Sequence, residues 1–446
     1  MVLRTRPRNW ASGKSICNGP QPQAEEGPLT ELAGADRTGG GRAKFAAMAG
    51  AYFLGVFNDN FYKQAILILA VGEGRSGMQG LALSVFTLPF LVLAAPAGWV
   101  ADRFSKRKVV ICAKAAELLA MVVGAVGIAI GNWPLIMVML TLMGIQATFF
   151  SPALNGSIPE LFPEDEVVRA NGILRMVVTL AILAGIALAG FAQDRPGSCL
   201  GIDNGRLITG AGVVLVALAG LAVSFGVVRR PAADPRAPFP WTGPLATLRS
   251  FVLIRQDPWL AFAVCGSVFI WFTGSLQILL INPLGLIQLG LTKTLTSALI
   301  VAQLLGIGLG GLLSSRLARG RAWHRVLAPA MALMGATMLA MPAAMWLPAP
   351  ARLPAIFALI GLVGVFGGLF LIPVESFIQT RPDAGRRGAV LAAANFAVFG
   401  GILLSGPLSN LLNALWRPTL SFAAVGLLAL ALSLGITIVL RNTRWA

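Results

Sequence analysis

The chain predicts an all-α polytopic membrane protein, twelve transmembrane helices in two six-helix bundles, and three observations carry that reading. Of its 446 residues 56% are hydrophobic and 12% charged, with a mean hydropathy of +0.77, far too apolar for a water-soluble domain. Twelve apolar runs follow one another, at 45–71, 78–100, 108–130, 133–155, 170–192, 206–228, 258–282, 294–315, 325–346, 353–377, 388–412 and 419–440. At ~1.5 Å per helical residue, each is long enough to cross a ~30 Å hydrocarbon layer. Basic residues also fall on one side. With the N-terminus in the cytoplasm, 26 of the 35 Lys and Arg lie in cytoplasmic stretches, six lie outside and Lys63, Lys114 and Arg175 lie within spans. That bias places both termini inside. The net charge of +17 is therefore read as topology determinants and contacts for anionic lipid heads, and not as nucleic-acid binding.

Taken in order, residues 1–43 read as a disordered basic cytoplasmic tail, rich in Arg, Gly and Pro and without a signal-like apolar core. Gly13-Lys14-Ser15 within it looks like the end of a phosphate-binding loop, but Arg8 stands where that loop needs glycine, so it is a coincidence. Residues 44–228 are expected to form the N-terminal six-helix bundle, 229–257 a Pro-rich cytoplasmic linker, 258–440 the C-terminal bundle and 441–446 a second tail. Cys17, Cys112, Cys199 and Cys265 show no pairing or metal spacing, and no metal or cofactor is expected.

Segment 1 contains the polar run Asn58-Asp59-Asn60 with Lys63. Asp59 lies about 20 Å into that segment, near mid-membrane, where a charge costs at least ~2.5 kcal/mol unless it faces a cavity or a partner. Lys63 follows at i,i+4 on the same helix face. Two readings stand: an ion pair that fixes one helix against its neighbours, or a role in cargo, proton or conformational coupling. Segment 3 carries Lys114 and Glu117 at i,i+3, either a local intramembrane pair or a lysine reaching lipid phosphates. Further polar candidates are Asn155 in segment 4, Asn171 and Arg175 in segment 5, Gln277 in segment 7, Glu375 in segment 10 and Asn395 in segment 11. Only Tyr52 and Tyr62 are present as tyrosines, so a sugar site is disfavoured. A few charges in a mostly apolar cavity suit an amphipath, either a lipid or a lipophilic cation.

Glycine-rich runs at 306–311 and 361–368 read as faces where helices pack backbone to backbone. After segment 2 comes Gly98-Trp99-Val100-Ala101-Asp102-Arg103-Phe104-Ser105-Lys106-Arg107, echoed after segment 8 by Gly311 and Arg316 at the same offset. This loop resembles the major facilitator superfamily signature G-x-x-x-D-R-x-G-R-R/K, with Ser105 where a glycine is usual. Gly98 is expected to allow close helix approach, and Asp102 to pair with Arg103, Arg107 or a helix end as a conformational latch; a plain topology anchor is the alternative.

More of the chain resembles the lysophospholipid transporter family and the related membrane domains fused to glycerophospholipid acyltransferases. The resemblance rests on Phe53 to Lys63, Ala101 to Lys106, Lys114-Ala115-Ala116-Glu117, Phe149-Phe150-Ser151-Pro152-Ala153, Arg169-Ala170-Asn171-Gly172 and Arg387 to Asn395. It implies a major facilitator fold, alternating access, residence in the bacterial inner membrane and flipping of lysophospholipids between leaflets. It also implies that the chain is not itself an enzyme: the fused acyltransferases use H-x4-D, whereas the single histidine, His324, is expected as a solvated or lipid-facing loop residue. Four positions depart from the family, Leu154 for Lys, Arg175 for Glu, Glu375 for Asn and Gln277 for Arg, and Arg175 is expected to take over phosphate or carboxylate contact from the missing lysine, with Glu375 balancing it. Beyond membrane lipid, a coupling ion and a separate acyltransferase stay open as partners. A proton-coupled exporter of lipophilic compounds and a non-transporting partner of lipid enzymes stay open as functions.

Overall fold

With no water in the hydrocarbon layer to satisfy exposed peptide groups, long apolar runs must close their hydrogen bonds internally, and a helix does so within one segment. A computed structural model of the chain describes residues 40–155, 164–229, 231–318 and 320–442. The expected N-terminal tail lies outside the described residues as far as residue 39, and 443–446 lie outside them too. The N-terminal half comprises α1 (Gly40–Gly72), α2 (Gly77–Val92), α3 (Ala94–Arg103), α4 (Lys106–Ala129), α5 (Trp133–Asn155), α6 (Glu164–Gln193) and α7 (Asn204–Ser224). A two-residue antiparallel hairpin, β1 (Ser198–Cys199) and β2 (Ile202–Asp203), joins α6 to α7. The C-terminal half comprises α9 (Pro258–Pro283), α10 (Lys293–Leu317), α11 (Leu327–Leu339), α12 (Met341–Ala344), α13 (Ala349–Thr380), α14 (Ala384–Leu415) and α15 (Pro418–Asn442).

Ten helical stretches among the described residues are long and apolar enough to cross a membrane, and α2 with α3, bent by 54°, makes an eleventh. The 33-residue α1 is the twelfth; its polar run lowers its hydropathy, not its reach. The bend at Leu93 has a cause in sequence: Pro96 has no N–H for the Val92 carbonyl, so the helix breaks between them. The twelve expected runs thus appear as helices. The linker departs from expectation, because α8 (Gly243–Gln256) forms inside it. At 14 residues and with Arg249 and Arg255 in it, α8 is too short and too charged to register as an apolar run. His324 also departs: it is buried in a 3₁₀ stretch, Gly320–Val326, beside Trp323, whose ring stacks on Phe377 at 4.7 Å.

The glycine runs do pack backbone to backbone. A Cβ on Gly306 or Gly310 of α10 would strike the carbonyl oxygen of Gly361 or Val365 of α13, and one on Gly364 or Gly368 would strike that of Gln303 or Ile307. Between the halves, α2 meets α14 where Gly80 and Gly406 face each other, and α6 meets α10 where Gly190 lies against the Lys293 carbonyl and Ser297.

These contacts make the ends of the molecule unequal. At the end away from the termini, Gln64 Nε2 donates to Asn282 Oδ1 (3.0 Å) and Asn282 Nδ2 to Gln79 Oε1 (2.9 Å), a buried amide chain that crosses from half to half. At the end where α1 begins and α15 finishes, a cleft of about 610 Å³ opens between α2, α3, α5, α8 and α14. Phe90 and Phe399 stack across it at 4.8 Å.

Gly310→Ile should lower the thermal unfolding midpoint by the equivalent of ~1–3 kcal/mol, the usual cost of overpacking a tight contact. Gly308→Ile on the same helix, where an added Cβ meets nothing within 4 Å, should leave it unchanged.

Candidate functional site

The polar run of α1 is divided by helix geometry, since neighbouring residues point about 100° apart. Asn58 turns into the N-terminal half. Fully buried, it donates Nδ2 to Glu117 Oε1 (3.1 Å) and to the Val213 carbonyl (3.1 Å). Lys114 Nζ lies 2.7 Å from Glu117 Oε2, both side chains being sealed from solvent. The ammonium also sits 4.7 Å from the Phe150 ring centroid, a cation–π contact that replaces part of its lost hydration. Gly55 makes the space: a Cβ there would stand 2.5 Å from Lys114 Nζ.

Asp59 points elsewhere. It is half-buried and accepts a hydrogen bond from Gln146 Nε2 of α5 at 3.3 Å. Lys63, one turn on, forms no ion pair with Asp59; its ammonium lies 5.0 Å from the Phe86 ring centroid. Asn60 turns back on its own helix, donating to the Val56 carbonyl at 2.8 Å. Tyr62 is buried and donates to the Gly124 carbonyl at 3.0 Å.

In the C-terminal half, Glu375 accepts from Ser267 Oγ at 2.6 Å and from Trp271 Nε1 at 3.2 Å. Gln277 is buried within that half, accepting from Gln303 and donating to Met338 Sδ at 3.5 Å. Asn395 lines the open cleft together with Thr148, Ser151 and Thr247. Asn171 and Arg175 are exposed on α6, and among the described residues Arg175 makes no ion pair with Glu375. The side chain of Asn155 lies outside the described residues, as does that of Leu154.

The signature loop meets the linker. Trp99 Nε1 and Arg103 Nη1 both donate to the Ala237 carbonyl, at 2.9 and 2.7 Å, and Phe239 packs edge-on against Trp99 at 5.0 Å. Arg107 Nη2 donates to the Phe225 carbonyl at the C-cap of α7, 2.7 Å away, where a cation suits the helix dipole. The Asp102 carboxylate is exposed and pairs with no base among the described residues, while its carbonyl accepts from Asp234 N at 2.9 Å. The expectation for Gly98 is corrected: a Cβ there would meet nothing within 4 Å, so among the described residues no helix packs against it.

Sequence reasoning missed Gln146 and Asp194. Asp194, just past α6, caps α10 of the other half, accepting from Lys293 N (3.0 Å), Thr294 N (2.7 Å) and Thr294 Oγ1 (2.5 Å). Burial pushes the Asp194 carboxyl up, but the bonds from Thr294, Lys293 and Thr292 together hold it below the usual carboxylate range. The signal was local: an acid that ends one helix, and a Thr-Lys-Thr start on another.

Twelve crossings in two halves, a cleft between them open at one end, and charges kept inside the membrane define a facilitator-type transport protein. The model of the Major Facilitator Superfamily matches residues 45–403, and the chain belongs to that superfamily. It is similar to the lysophospholipid transporter LplT of Cronobacter sakazakii, 30% identical over 367 residues, 79% of this chain and 85% of that one. The LplT of an Enterobacter species is 29% identical over 340 residues, 75% and 80% of the two chains. Among solved structures, an inward-facing bacterial homologue of the iron transporter ferroportin superposes with a TM-score of 0.68 at 14% identity, covering 89% of this chain and 98% of the other. An inward-facing, unoccupied bacterial homologue of the human lysosomal transporter Spinster gives 0.66 at 15%, covering 90% and 95%. These two likenesses show the fold alone.

Asp194→Ala should loosen the closed end by the ~0.5–2 kcal/mol of a lost helix cap, seen as longer distances between spin labels placed at 75 and 417. Because the Asp194 carboxyl is depressed in the closed form, its contribution should be complete above the ordinary value of ~3.9. It should fade only as pH falls below that, through the lower value of the closed form.

Proposed function

We propose that the protein moves a lysophospholipid, or a similar single-chain amphipath, between leaflets of the bacterial inner membrane by alternating access, with both termini in the cytoplasm. The observation that carries the reading is Asp59, a half-buried carboxylate steadied by Gln146, with Lys63 one turn along and, among the described residues, in no ion pair. An anion and a cation that do not neutralise each other can take the two charges of a zwitterionic head group, ammonium on Asp59 and phosphate on Lys63. The apolar walls then suit a tail. The names borne by the LplT relatives support this cargo class.

In this orientation the closed end, held by Asp194 and the Gln64–Asn282–Gln79 chain, faces outward, and the cleft beside Asn395 opens to the cytoplasm. Arg175 is assigned a phosphate contact during passage, Asn171 a place beside it, and Glu375 a charge on the opposite wall. Asn58 and Gln277, turned into their halves, support the walls. Asp102, Arg103 and Arg107 form the latch region. There the Asp102 carboxylate is the group left to engage a helix end when the cytoplasmic side shuts.

In proteoliposomes, Asp59→Asn should slow flipping of labelled lysophospholipid about 10- to 100-fold, the worth of a hydrogen bond to a charged group. Arg175→Gln should also slow it. Unchanged flipping by Asp59→Asn, or transport of a lipophilic cation that needs a pH gradient while lysolipid stays inert, would overturn the reading.

A further inference from the structure

The N-terminal half carries a second cavity, whose lining shares no residue with that of the cleft between the halves. It is a groove of about 550 Å³ between the end of α3, α4 and α5, within the 300–1,000 Å³ of ordinary ligand sites. One wall repeats at Lys108, Cys112 and Ala116, every fourth residue of α4, and the floor at Leu142, Ile145 and Phe149 of α5. Both are single helix faces. Cys112, Ala116 and Leu142 are exposed although they lie inside membrane-crossing helices, so the groove opens sideways to the hydrocarbon and not into the protein.

Its charge has a direction. Lys108 stands near the first turn of α4, at the end where α1 begins and α15 finishes, and among the described residues no acidic side chain lines the groove. From Lys108 to Ala116 is eight residues, about 12 Å along the helix, and every wall residue beyond the lysine on α4 is apolar or a thiol. An ammonium at the interface followed by a dry channel toward mid-membrane is the complement of a lipid phosphate followed by its chain. Gln146 is also part of the floor and is buried, and its amide reaches through to Asp59.

We propose that this groove is a seat for one bilayer phospholipid of the leaflet on the side of the termini, its phosphate on Lys108 and an acyl chain laid along α4 and α5 as far as Gln146. The occupant is a resident diacyl lipid and not the cargo, because Asp59 and Lys63, to which the cargo head group is assigned, do not line this groove. Through Gln146 the seated chain abuts the side chain that steadies Asp59.

The test uses the full chain in proteoliposomes made with a diacyl phospholipid whose acyl chain carries a photoactivatable diazirine, with labelled peptides mapped by mass spectrometry. Label should be at least about threefold denser on 108–116 and 142–149 than at Leu215 and Leu434, which are 65% and 66% exposed on open faces. Ala116→Trp, which fills the groove, should bring it down to the level of those faces. Lys108→Glu, at an exposed position, should also bring it down toward the level of those faces, since one basic residue near an anionic lipid surface contributes about 1 kcal/mol to holding the lipid. Equal labelling of groove and open faces, or no response to Lys108→Glu, would mean ordinary annular lipid and overturn the proposal. Enrichment with a single-chain probe alone would overturn it too, since the groove would then be a cargo site.

Discussion

A charge placed in hydrocarbon must be paired or must reach water, and α1 meets that constraint twice in adjacent residues. Asn58 joins the sealed Lys114–Glu117 pair, and Asp59 is left outside it. The pair itself adds little net stability, because desolvation offsets most of its attraction, but removing one member leaves a stranded charge at ~3–5 kcal/mol. That asymmetry fixes the rotation of α1. Gly55 can only be small while Lys114 lies against it, and with Asn58 tied to Glu117 and Val213, Asp59 has one direction left.

The two kinds of helix contact then divide the labour. Within the C-terminal half, α10 and α13 interlock through glycines that admit no other residue, and nothing in water can replace that packing. Between the halves at the closed end, the holding groups are amides and a carboxylate at a helix start. Such bonds contribute only ~0.5–1.5 kcal/mol each between neutral groups and ~1.5–3 to the carboxylate, because water can take over either partner. The halves can therefore part without either coming undone, which is what alternating access requires of the fold.

Much of this was legible in the sequence, for stated reasons. Apolar run length gave the crossings, since hydrocarbon thickness sets a length that no other feature mimics. The cost of burying Asp59 drew attention to the polar stretch of α1, where the structure finds one buried amide and one half-buried carboxylate side by side. What periodicity could not give was the neighbour each side chain meets. Asn58 and Asp59 read alike as polar residues at mid-depth, yet one is in a core and the other is not. Lys63 shares a face with Asp59 but rests on Phe86. Gln146 was invisible because a neutral amide inside an apolar run carries no large penalty to flag it. Gly98 failed in the opposite way: a motif names a glycine but not what stands across from it.

The most direct measurement compares Asn58→Ala with Asp59→Asn in the purified protein, following thermal unfolding and lysophospholipid binding together. The account predicts that Asn58→Ala lowers the unfolding midpoint by stripping a partner from the buried Glu117. Asp59→Asn should keep the midpoint and lose the binding. The reverse pattern, a stable Asn58→Ala and an Asp59→Asn that melts early yet still binds lipid, would show that Asp59 is the structural charge and contradict the division of α1 on which the account rests.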